Sequence, residues 1–345
     1  IRSHGSRSGA AEIGAAQTKE HEMSRAVIVH QTGGPEVLTL EDRPLGAPGP
    51  GQVALRQTAI GLNFIDTYQR SGLYPVPTPF VAGNEGAGVI TALGEGVTGL
   101  KVGDRVAYQG QVGAYAAERL AAADRMVPVP DGIDDRTAAA IMLKGLTAWY
   151  LLFKTWPLAS GETVLWHAAA GGTGLIATQW ARALGATVIG TAGSAEKLAL
   201  ARSHGCDHVI NYNEEDFAAR VRELTGGRGV DVVYDGVGKA TFEQSLDCLR
   251  PRGLMVSFGN ASGVVSIPDI TALSRKGSLY VTRPTGVHYL ATRAELLEGA
   301  EALFAAVQSG AIKVEVGRTF ALDEAADAHR ALEGRETTGS VLLLP

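Results

Sequence analysis

Three closely spaced glycines, Gly171, Gly172 and Gly174, have the residue type and spacing that a phosphate-binding turn needs. They follow a short apolar run over residues 163–166, which is typical of a buried strand. Backbone without side chains lets a pyrophosphate approach the unpaired amides at a helix N-terminus, where the helix dipole also favours negative charge. Gly174 is expected to allow close packing of that helix against the strand.

The elements around the glycines have the order of a dinucleotide-binding unit. A helix is expected over about residues 175–184, closed by Gly185, and a second strand over residues 187–190. Ala169 stands where the strict G-x-G-x-x-G pattern has its first glycine, so the motif alone is weak. The alternative is a tight connection in another kind of α/β protein. The order of the elements favours a dinucleotide.

The residues after the second strand indicate which dinucleotide is bound. A carboxylate there would accept hydrogen bonds from the ribose 2′-hydroxyl of NAD, and none is present over residues 190–194. Ser194 and Lys197 instead offer a hydroxyl and a cation, which suit the 2′-phosphate of NADPH. The alternative for Lys197 is an ordinary solvated lysine beside Glu196.

Composition limits the class of protein. The chain has 345 residues, enough for two domains, and 45% of them are hydrophobic without a run long enough to span a bilayer. A net charge of -5 with scattered basic residues argues against nucleic-acid binding. The two cysteines, Cys206 and Cys248, build neither a disulfide framework nor a sulfur-rich metal site. We therefore expect a soluble, cytoplasmic protein that binds neither membranes nor nucleic acid.

The N-terminal 22 residues are expected to lie outside the folded protein. They are small, polar and aperiodic and lack the apolar core of a signal peptide. We interpret Met23 as the natural start and residues 1–22 as a disordered or vector-derived extension.

The remaining chain divides into two patterns. Short strands with glycine and proline corners over residues 25–130 predict a compact β-rich domain. Helices and strands then alternate, which predicts six parallel strands in a doubly wound sheet. Strands expected over residues 311–320 and 340–344 are interpreted as returning to the first domain. The predicted domains are 23–145 completed by 286–345, and 146–285.

Several motifs together resemble the medium-chain dehydrogenase/reductase superfamily, and within its zinc-free branch the zeta-crystallin-like NADPH:quinone oxidoreductases. The resemblance extends over essentially all of residues 23–345. Its motifs are GGPEVL (33–38), NFIDTYQRSGLY (63–74), GNEGAGVI (83–90), LKGLTA (143–148), HAAAGGTG (167–174), INY (210–212), RGLMVSFGNASG (252–263) and GSLYVTRP (277–284). It implies a GroES-like catalytic domain, a Rossmann domain, NADPH in the cleft between them, and a homodimer or a tetramer.

The resemblance also implies the residues that surround the cofactor. Those at the nicotinamide end would be Asn63, Asp66, Tyr68 and Tyr150. Those at the pyrophosphate, with Gly171 from the turn itself, would be Gly172 and Thr173. Those at the 2′-phosphate would be Gly193, Ser194, Lys197 and Tyr212. The others would be Val237, Phe258, Gly259, Asn260, Ser262, Arg283 and Arg335.

A metal-free site is expected. Zinc dehydrogenases of the same superfamily carry cysteine and histidine ligands at the positions of Asn63 and Asn84, and a third ligand near Leu143 and Lys144. Neutral amides bind zinc poorly compared with thiolate and imidazole. His167 is interpreted as a packing or backbone-bonding residue rather than a ligand.

Without a metal, the acceptor must itself be electrophilic, and a quinone is. Our hypothesis is that Asn63, Tyr68 and Tyr74 border the quinone, with Arg283 or solvent neutralising the quinolate as it forms. Whether the tyrosines transfer protons or only form the walls of the cleft stays open at this point.

Two alternatives remain. A conjugated C=C bond accepts hydride in the same geometry, so a reductase of α,β-unsaturated carbonyls is the first. The second is a crystallin-like or RNA-binding nucleotide sensor, although the sequence has no basic run. The physiological acceptor, one- or two-electron reduction and the oligomer size cannot be read from the sequence.

Overall fold

The computed structural model describes residues 23–267 and 269–345. The extension predicted over residues 1–22 therefore lies outside the described residues. No helix in those two ranges has the length and apolar character needed to cross a bilayer.

The first part of the chain is rich in β-structure, as its glycine and proline corners predict. Its elements are β1 (Met23–Val29), β2 (Leu38–Pro44), β3 (Gln52–Leu62), α1 (Phe64–Ser71), β4 (Phe80–Val81), β5 (Glu85–Leu93), β6 (Arg105–Gln109), β7 (Glu118–Ala122) and β8 (Val127–Pro128). Strands β2, β1 and β4 form a small sheet, and β3, β5, β6, β7 and β8 belong to a larger one. Apolar side chains such as Leu55, Ile60 and Val106 are buried between them.

A long helix then leads into the second part. The elements are α2 (Asp135–Trp149), a π-helical turn (Tyr150–Thr155), β9 (Thr163–Trp166), α3 (Gly172–Ala183), β10 (Thr187–Ala192), α4 (Ala195–Ser203), β11 (His208–Asn211), α5 (Phe217–Leu224), β12 (Val230–Asp235), α6 (Phe242–Cys248), β13 (Leu249–Ser257), α7 (Thr271–Arg275) and β14 (Tyr280–Thr282). The six strands pair in the order β11-β10-β9-β12-β13-β14, and all pairs are parallel. The predicted doubly wound sheet is confirmed. Helix α5 begins at Phe217 because Asp216 caps it by accepting hydrogen bonds from the Ala218 and Ala219 amides.

The C-terminal part returns to the first sheet. Its elements are α8 (Gly286–Tyr289), α9 (Arg293–Gln308), β15 (Val316–Ala321), α10 (Ala325–Glu333) and β16 (Ser340–Leu344). Strand β16 pairs antiparallel with β3, with Leu343 opposite Ile60. The strand predicted over residues 311–320 begins only at residue 316, because Ile312 donates its amide to Ala306 and closes α9 instead.

Helix α2 lies at the junction of the two parts. It contacts β3, β5 and β6 on one side and α3 and α9 on the other. Its run of small buried residues, Ala138 to Ala140, permits this close packing on two sides. The predicted division between residues 145 and 146 falls inside this helix, so the domain limits stay a prediction.

Candidate active site

The predicted cofactor residues follow the carboxyl ends of the six parallel strands. Such residues are Gly171 after β9, Gly193 after β10, Tyr212 after β11, Val237 after β12, Phe258 after β13 and Arg283 after β14. Strands β9 and β12 are central neighbours whose chain connections leave in opposite directions along the sheet. In such sheets a ligand binds at this switch point, outside the carboxyl ends.

The glycine turn fits a pyrophosphate. Gly171 is the N-cap of α3 and has no side chain to cap it, so the first amides of the helix have no side-chain acceptor there. Gly171 also forms a bridge with Gly339, which places the segment before β16 against the turn. At Gly174 a Cβ atom would lie 2.5 Å from the carbonyl oxygen of Ala168. The close backbone approach expected at Gly174 is therefore present.

Gly172 has a neighbour that the sequence did not indicate. A Cβ atom at this position would lie 2.7 Å from Cδ of Lys144, a residue of α2. The hydrocarbon stem of Lys144 therefore passes directly beside the start of α3. Glycine at position 172 leaves room for the Lys144 stem as well as for the approach of a phosphate.

The residues predicted for a 2′-phosphate lie together. Ser194 caps α4 and its Oγ accepts from the Lys197 amide at 3.4 Å. The Lys197 ammonium donates to the carbonyl oxygen of Arg335 at 2.6 Å, and Arg335 has a positive φ of 59°. Burial and the nearby Arg335 guanidinium lower the pKa of Lys197. The structure thus brings two positively charged side chains close together beside Ser194.

Gly193 and Tyr212 complete that pocket. A Cβ atom at Gly193 would lie 2.7 Å from the Tyr212 hydroxyl, so a larger residue there would displace the Tyr212 side chain. Asn213, which the sequence did not single out, donates from Nδ2 to the Gly193 carbonyl at 2.9 Å. This contact fixes the loop that faces Ser194.

Asn63 is held at the other end of the cleft by two buried carboxylates. It precedes α1, and its backbone amide donates to Oδ2 of Asp66 at 2.9 Å. Its Nδ2 donates to Oε2 of Glu85 at 2.8 Å. Asp66 is only 1% exposed and also accepts from Asn84 Nδ2 and the Tyr115 hydroxyl. The structure thus places Asp66 beneath Asn63, where it positions Asn63 and does not line the cleft.

Burial makes the Asp66 carboxyl group a weaker acid than usual. Desolvation raises its pKa to about 6, although hydrogen bonds from Asn84, Asn63 and Tyr115 oppose the shift. Tyr115 also contacts Nε2 of His329, and burial lowers the pKa of His329 to about 3. This histidine is therefore neutral at physiological pH.

Two tyrosines and an arginine meet at the mouth of the cleft. The Tyr68 hydroxyl accepts from the Asn260 amide at 3.0 Å. The Tyr74 hydroxyl accepts from Asn260 Nδ2 and from Arg283 Nη2, each at 3.0 Å. Arg283 Nη1 also donates to the carbonyl oxygen of Gly259 at 2.9 Å. The two parts of the chain are therefore hydrogen-bonded across the cleft at this point.

The protonation of Tyr68 is determined by its surroundings. Burial raises its pKa to about 12, so its hydroxyl keeps its proton at physiological pH. The Asn260 amide occupies one of its lone pairs, which leaves the O–H proton to donate elsewhere. At Tyr74 both lone pairs meet N–H donors, so this hydroxyl is also oriented as a donor.

The other predicted residues support the cleft walls. Tyr150 stacks on Tyr289 with ring centroids 4.9 Å apart, and burial raises its pKa to about 12. Phe258 packs against Trp166 at 5.5 Å. The Ser262 hydroxyl donates to the carbonyl oxygen of Val237 and so holds its own loop.

His167 has no metal-binding environment. Its two ring nitrogens contact the hydroxyls of Thr191 and Ser245, each at 2.9 Å, and burial lowers its pKa. Its ring also packs edge-on against Phe217 with centroids 5.0 Å apart, as expected for a packing residue, and its hydrogen-bond partners are side-chain hydroxyls and not backbone atoms. The described ranges contain no group of three or more His, Cys, Asp or Glu residues that could hold a metal ion.

Sequence reasoning missed the pairing of Glu85 with Lys144. The Lys144 ammonium lies 2.9 Å from Oε2 of Glu85, and the glutamate side chain has 0% exposure. One signal was available in the sequence. A lysine in the alanine-rich, apolar helix α2 needs a buried partner, because an isolated charge is very costly to bury.

Comparison with known proteins gives two family matches. Residues 49–131 match the alcohol dehydrogenase GroES-like domain, and residues 172–294 match the zinc-binding dehydrogenase family.

Individual relatives cover nearly the whole chain. A quinone oxidoreductase of Pseudomonas aeruginosa is 54% identical, over 94% of this chain and 100% of the relative. A 2-haloacrylate reductase of a Burkholderia species is 50% identical, over 94% of this chain and 99% of the relative. The crystal structure of Escherichia coli quinone oxidoreductase complexed with NADPH is 50% identical with a TM-score of 0.91, and the match covers 93% of this chain and 100% of that one.

Proposed function

Because the chain belongs to the quinone oxidoreductase family, within the medium-chain dehydrogenase/reductase superfamily, we propose that it reduces quinones with NADPH and without a metal ion. One observation carries the choice of cofactor. Lys197 and Arg335 converge beside Ser194, at the carboxyl end of the strand that follows the glycine turn. This is where a 2′-phosphate would lie if the pyrophosphate lay on that turn.

The chain's own residues would hold the cofactor along the switch point. When bound, NADPH supplies the hydride. The start of α3 would bind the pyrophosphate through backbone amides, and the pocket formed by Gly193, Ser194, Lys197, Tyr212 and Arg335 would bind the 2′-phosphate. Asn63 would contact the nicotinamide end.

Tyr68 and Tyr74 would polarise the acceptor. Both hydroxyls keep an O–H group to donate, because their lone pairs accept from Asn260 and Arg283. Reduction of a quinone to a hydroquinone requires one hydride and one proton. Donors aimed at a carbonyl oxygen stabilise the negative charge that forms there, and Arg283 adds a positive charge nearby.

Zinc dehydrogenases hold their metal ion with thiolate and imidazole ligands. The corresponding positions of this chain carry neither cysteine nor histidine. Asn63, Leu143 and Lys144, at or near the positions of zinc ligands in those relatives, all direct N–H groups at Glu85. A set of donors and one ammonium group repels a metal ion. Metal independence therefore remains our prediction for this site.

The function is tested by NADPH oxidation with 1,4-benzoquinone and 9,10-phenanthrenequinone. We expect turnover with both, unchanged after dialysis against a chelator. Loss of turnover that returned with added zinc would contradict the proposal.

A second candidate is reduction of conjugated C=C bonds. It is supported by the 50% identity to a 2-haloacrylate reductase and by the exposed Arg283 guanidinium at the mouth of the cleft, which suits a carboxylate. Steady-state rates with 2-chloroacrylate and with small enones, at saturating NADPH, distinguish the two. Faster reduction of these compounds than of quinones would reverse our order.

A homodimer or tetramer and a cytoplasmic location remain predictions from the sequence. For the crystallin-like or RNA-binding alternative, a gel shift with AU-rich RNA at physiological salt is the test. We expect no tight complex.

A further inference from the structure

Helix α10 ends at Glu333, two residues before an arginine with an unusual backbone conformation. Arg335 has a φ of 59°, in the left-handed region that favours glycine. Its amide donates to the Leu332 carbonyl at 3.1 Å, and the Glu336 amide donates to the Ala331 carbonyl at 3.0 Å. These two bonds form a Schellman motif, in which the left-handed residue is usually glycine. Arg335 therefore occupies a position at which any side chain lowers stability.

The turn at Arg335 lies against the nucleotide pocket. The Lys197 ammonium donates to the carbonyl oxygen of Arg335 at 2.6 Å, and the Gly339 amide donates to the carbonyl oxygen of Ala170 at 3.1 Å, beside the glycine turn. Non-glycine residues in the left-handed conformation persist only where the surrounding structure holds them, and they are concentrated at ligand sites. The end of α10 must therefore be held in place for Arg335 to stay beside Lys197.

One buried arginine of α1 holds that end. The Arg70 side chain is 3% exposed, and its Nη1 and Nη2 donate to the two carboxylate oxygens of Glu333 at 3.0 and 2.8 Å. Nη1 also donates to Nδ1 of His329, one turn earlier in α10, at 3.1 Å. Nε donates to the carbonyl oxygen of Gly33 at 3.1 Å. A planar guanidinium with two parallel bonds to a carboxylate fixes the orientation of its partner as well as the distance.

The acceptors of the Schellman motif lie in the turn that Arg70 holds. Ala331 and Leu332 stand between the two α10 residues whose side chains contact Arg70. Without those contacts the last turn of α10 would fray, as helix ends do when nothing holds them. Fraying removes the two carbonyl groups that keep Arg335 in its left-handed conformation.

We propose that Arg70 and Glu333 are a positioning pair, which sets the affinity for the phosphorylated cofactor by keeping Arg335 beside Lys197. Both act through Arg335 and not by contact with the nucleotide. The proposal rests on the proposed function, because it takes the 2′-phosphate of NADPH as the ligand of that pocket. Arg70 lies in the same helix as Tyr68, so the pair also ties the two ends of the site together.

Charge-conserving variants test this role, because loss of the Glu333 charge would itself change the attraction for a phosphate. Glu333→Asp keeps the charge and shortens the side chain by a methylene group, which breaks the paired contact. Arg70→Lys keeps the charge and replaces the planar fork with a single ammonium group. Glu333 is 36% exposed, so Glu333→Asp carries the test even if the buried variant does not fold. Asp327→Glu is the matched control, because Asp327 forms an exposed pair with Arg330 in the same helix.

The first measurement is the affinity for NADPH and for NADH, by fluorescence titration without acceptor. We expect Glu333→Asp to weaken NADPH binding about fivefold, because the turn would hold Arg335 in place for only about a fifth of the time. NADH has no 2′-phosphate, so its affinity should stay within about twofold of the parent value. Arg70→Lys should act in the same direction, and Asp327→Glu should bind both cofactors as the parent does. Equal weakening of both cofactors, or an unchanged NADPH affinity, would overturn the proposal.

The second measurement needs no nucleotide. Hydrogen exchange of the Arg335 and Glu336 amides reports whether the Schellman motif is formed, because both amides are donors in it. We expect both to exchange faster in Glu333→Asp than in the parent, by a factor of about five or more. The rates in Asp327→Glu should match the parent. Unchanged exchange in Glu333→Asp would refute the role of the pair.

Failure of the proposed function has a different result. If the parent protein bound NADPH no more tightly than NADH, the assignment of the 2′-phosphate would be wrong, and with it the ligand named here. The exchange rates of the nucleotide-free variants would still report whether Arg70 and Glu333 hold the turn.

Discussion

The ammonium group of Lys197 donates to the carbonyl oxygen of Arg335 across 138 residues of sequence, and the guanidinium of the same Arg335 lowers the pKa of that ammonium. Helix α4 and the turn before β16 are therefore held together by a contact that also concentrates positive charge. Binding of an anion would offset the repulsion between these two positive charges.

Removing Lys197 should change the preference between cofactors. We expect Lys197→Ala to raise the KM for NADPH by about 30-fold, since a charge-assisted contact with phosphate contributes about 2 kcal/mol. The KM for NADH should change little. Arg202→Ala, a charge removed from the last turn of the same helix, is the control. Equal effects of Lys197→Ala on both cofactors would refute the assignment of the 2′-phosphate.

Tyr68→Phe decides whether this tyrosine takes part in the chemistry. We expect kcat for 1,4-benzoquinone to fall about tenfold, because one oriented donor to the carbonyl is lost, while NADPH affinity is kept. Tyr280→Phe, at a 60% exposed residue, should have no effect. Single-turnover hydride transfer with deuterated NADPH is the readout. A normal rate would mean that Tyr68 only forms a wall of the cleft.

Arg283→Gln should separate the two classes of acceptor. Loss of the guanidinium should lower kcat/KM for 2-chloroacrylate about tenfold more than for neutral quinones, because only the acid carries a charge to bind. Parallel steady-state assays measure the ratio. If kcat/KM fell by the same factor for both substrates, the role of Arg283 would be to hold the structure of the cleft mouth through Tyr74 and Gly259.

Gly174→Ala should mainly lower stability, whereas Gly171→Ala should mainly lower NADPH affinity. The added Cβ atom at Gly174 would lie 2.5 Å from the Ala168 carbonyl, and we expect a loss of about 2 kcal/mol of stability. At Gly171 the nearest atom is the same carbonyl oxygen at 3.2 Å, a milder contact, so we expect a smaller loss of stability together with weaker NADPH binding. Chemical denaturation and fluorescence titration measure the two quantities. Equal stabilities would contradict the packing role of Gly174.

Asp66 should make stability depend on pH. Its folded-state pKa of about 6 lies above the unfolded value of 3.8, so its contribution is favourable below about pH 4 and is lost as the pH rises through 6. The expected decrease is about 3 kcal/mol in the free energy of unfolding. Denaturation at a series of pH values should show this decrease in the parent and not in Asp66→Asn. The same decrease in both would assign it to another group.

The sequence predicted the regular elements well where apolar runs are short and bounded. The strands over residues 163–166 and 340–344 have the predicted limits, because their β-branched and apolar residues are enclosed by turn residues. Helix ends were less certain. The start of α5, for example, is determined by the side chain of Asp216, which caps the helix by accepting from the Ala218 amide.

The parts of the site that could not be predicted depend on contacts between distant residues. Glu85 and Lys144 are 59 residues apart, and no local pattern specifies that they meet. The same holds for the amide orientation of Asn63, which depends on β5. Local sequence gives the residue types, whereas hydrogen-bond direction depends on the tertiary structure.

Strand β16 completes the catalytic sheet beside β3, and the short segment before it carries Arg335 and the Gly339 contact to the glycine turn. A ribosome makes the chain from its first residue onward. Neither the sheet nor the nucleotide pocket is complete until β16 has been translated. We therefore expect partly synthesised chains, and chains cut short before β16, to bind coenzyme poorly, because β16 is what anchors the segment with Arg335 and Gly339 beside the glycine turn.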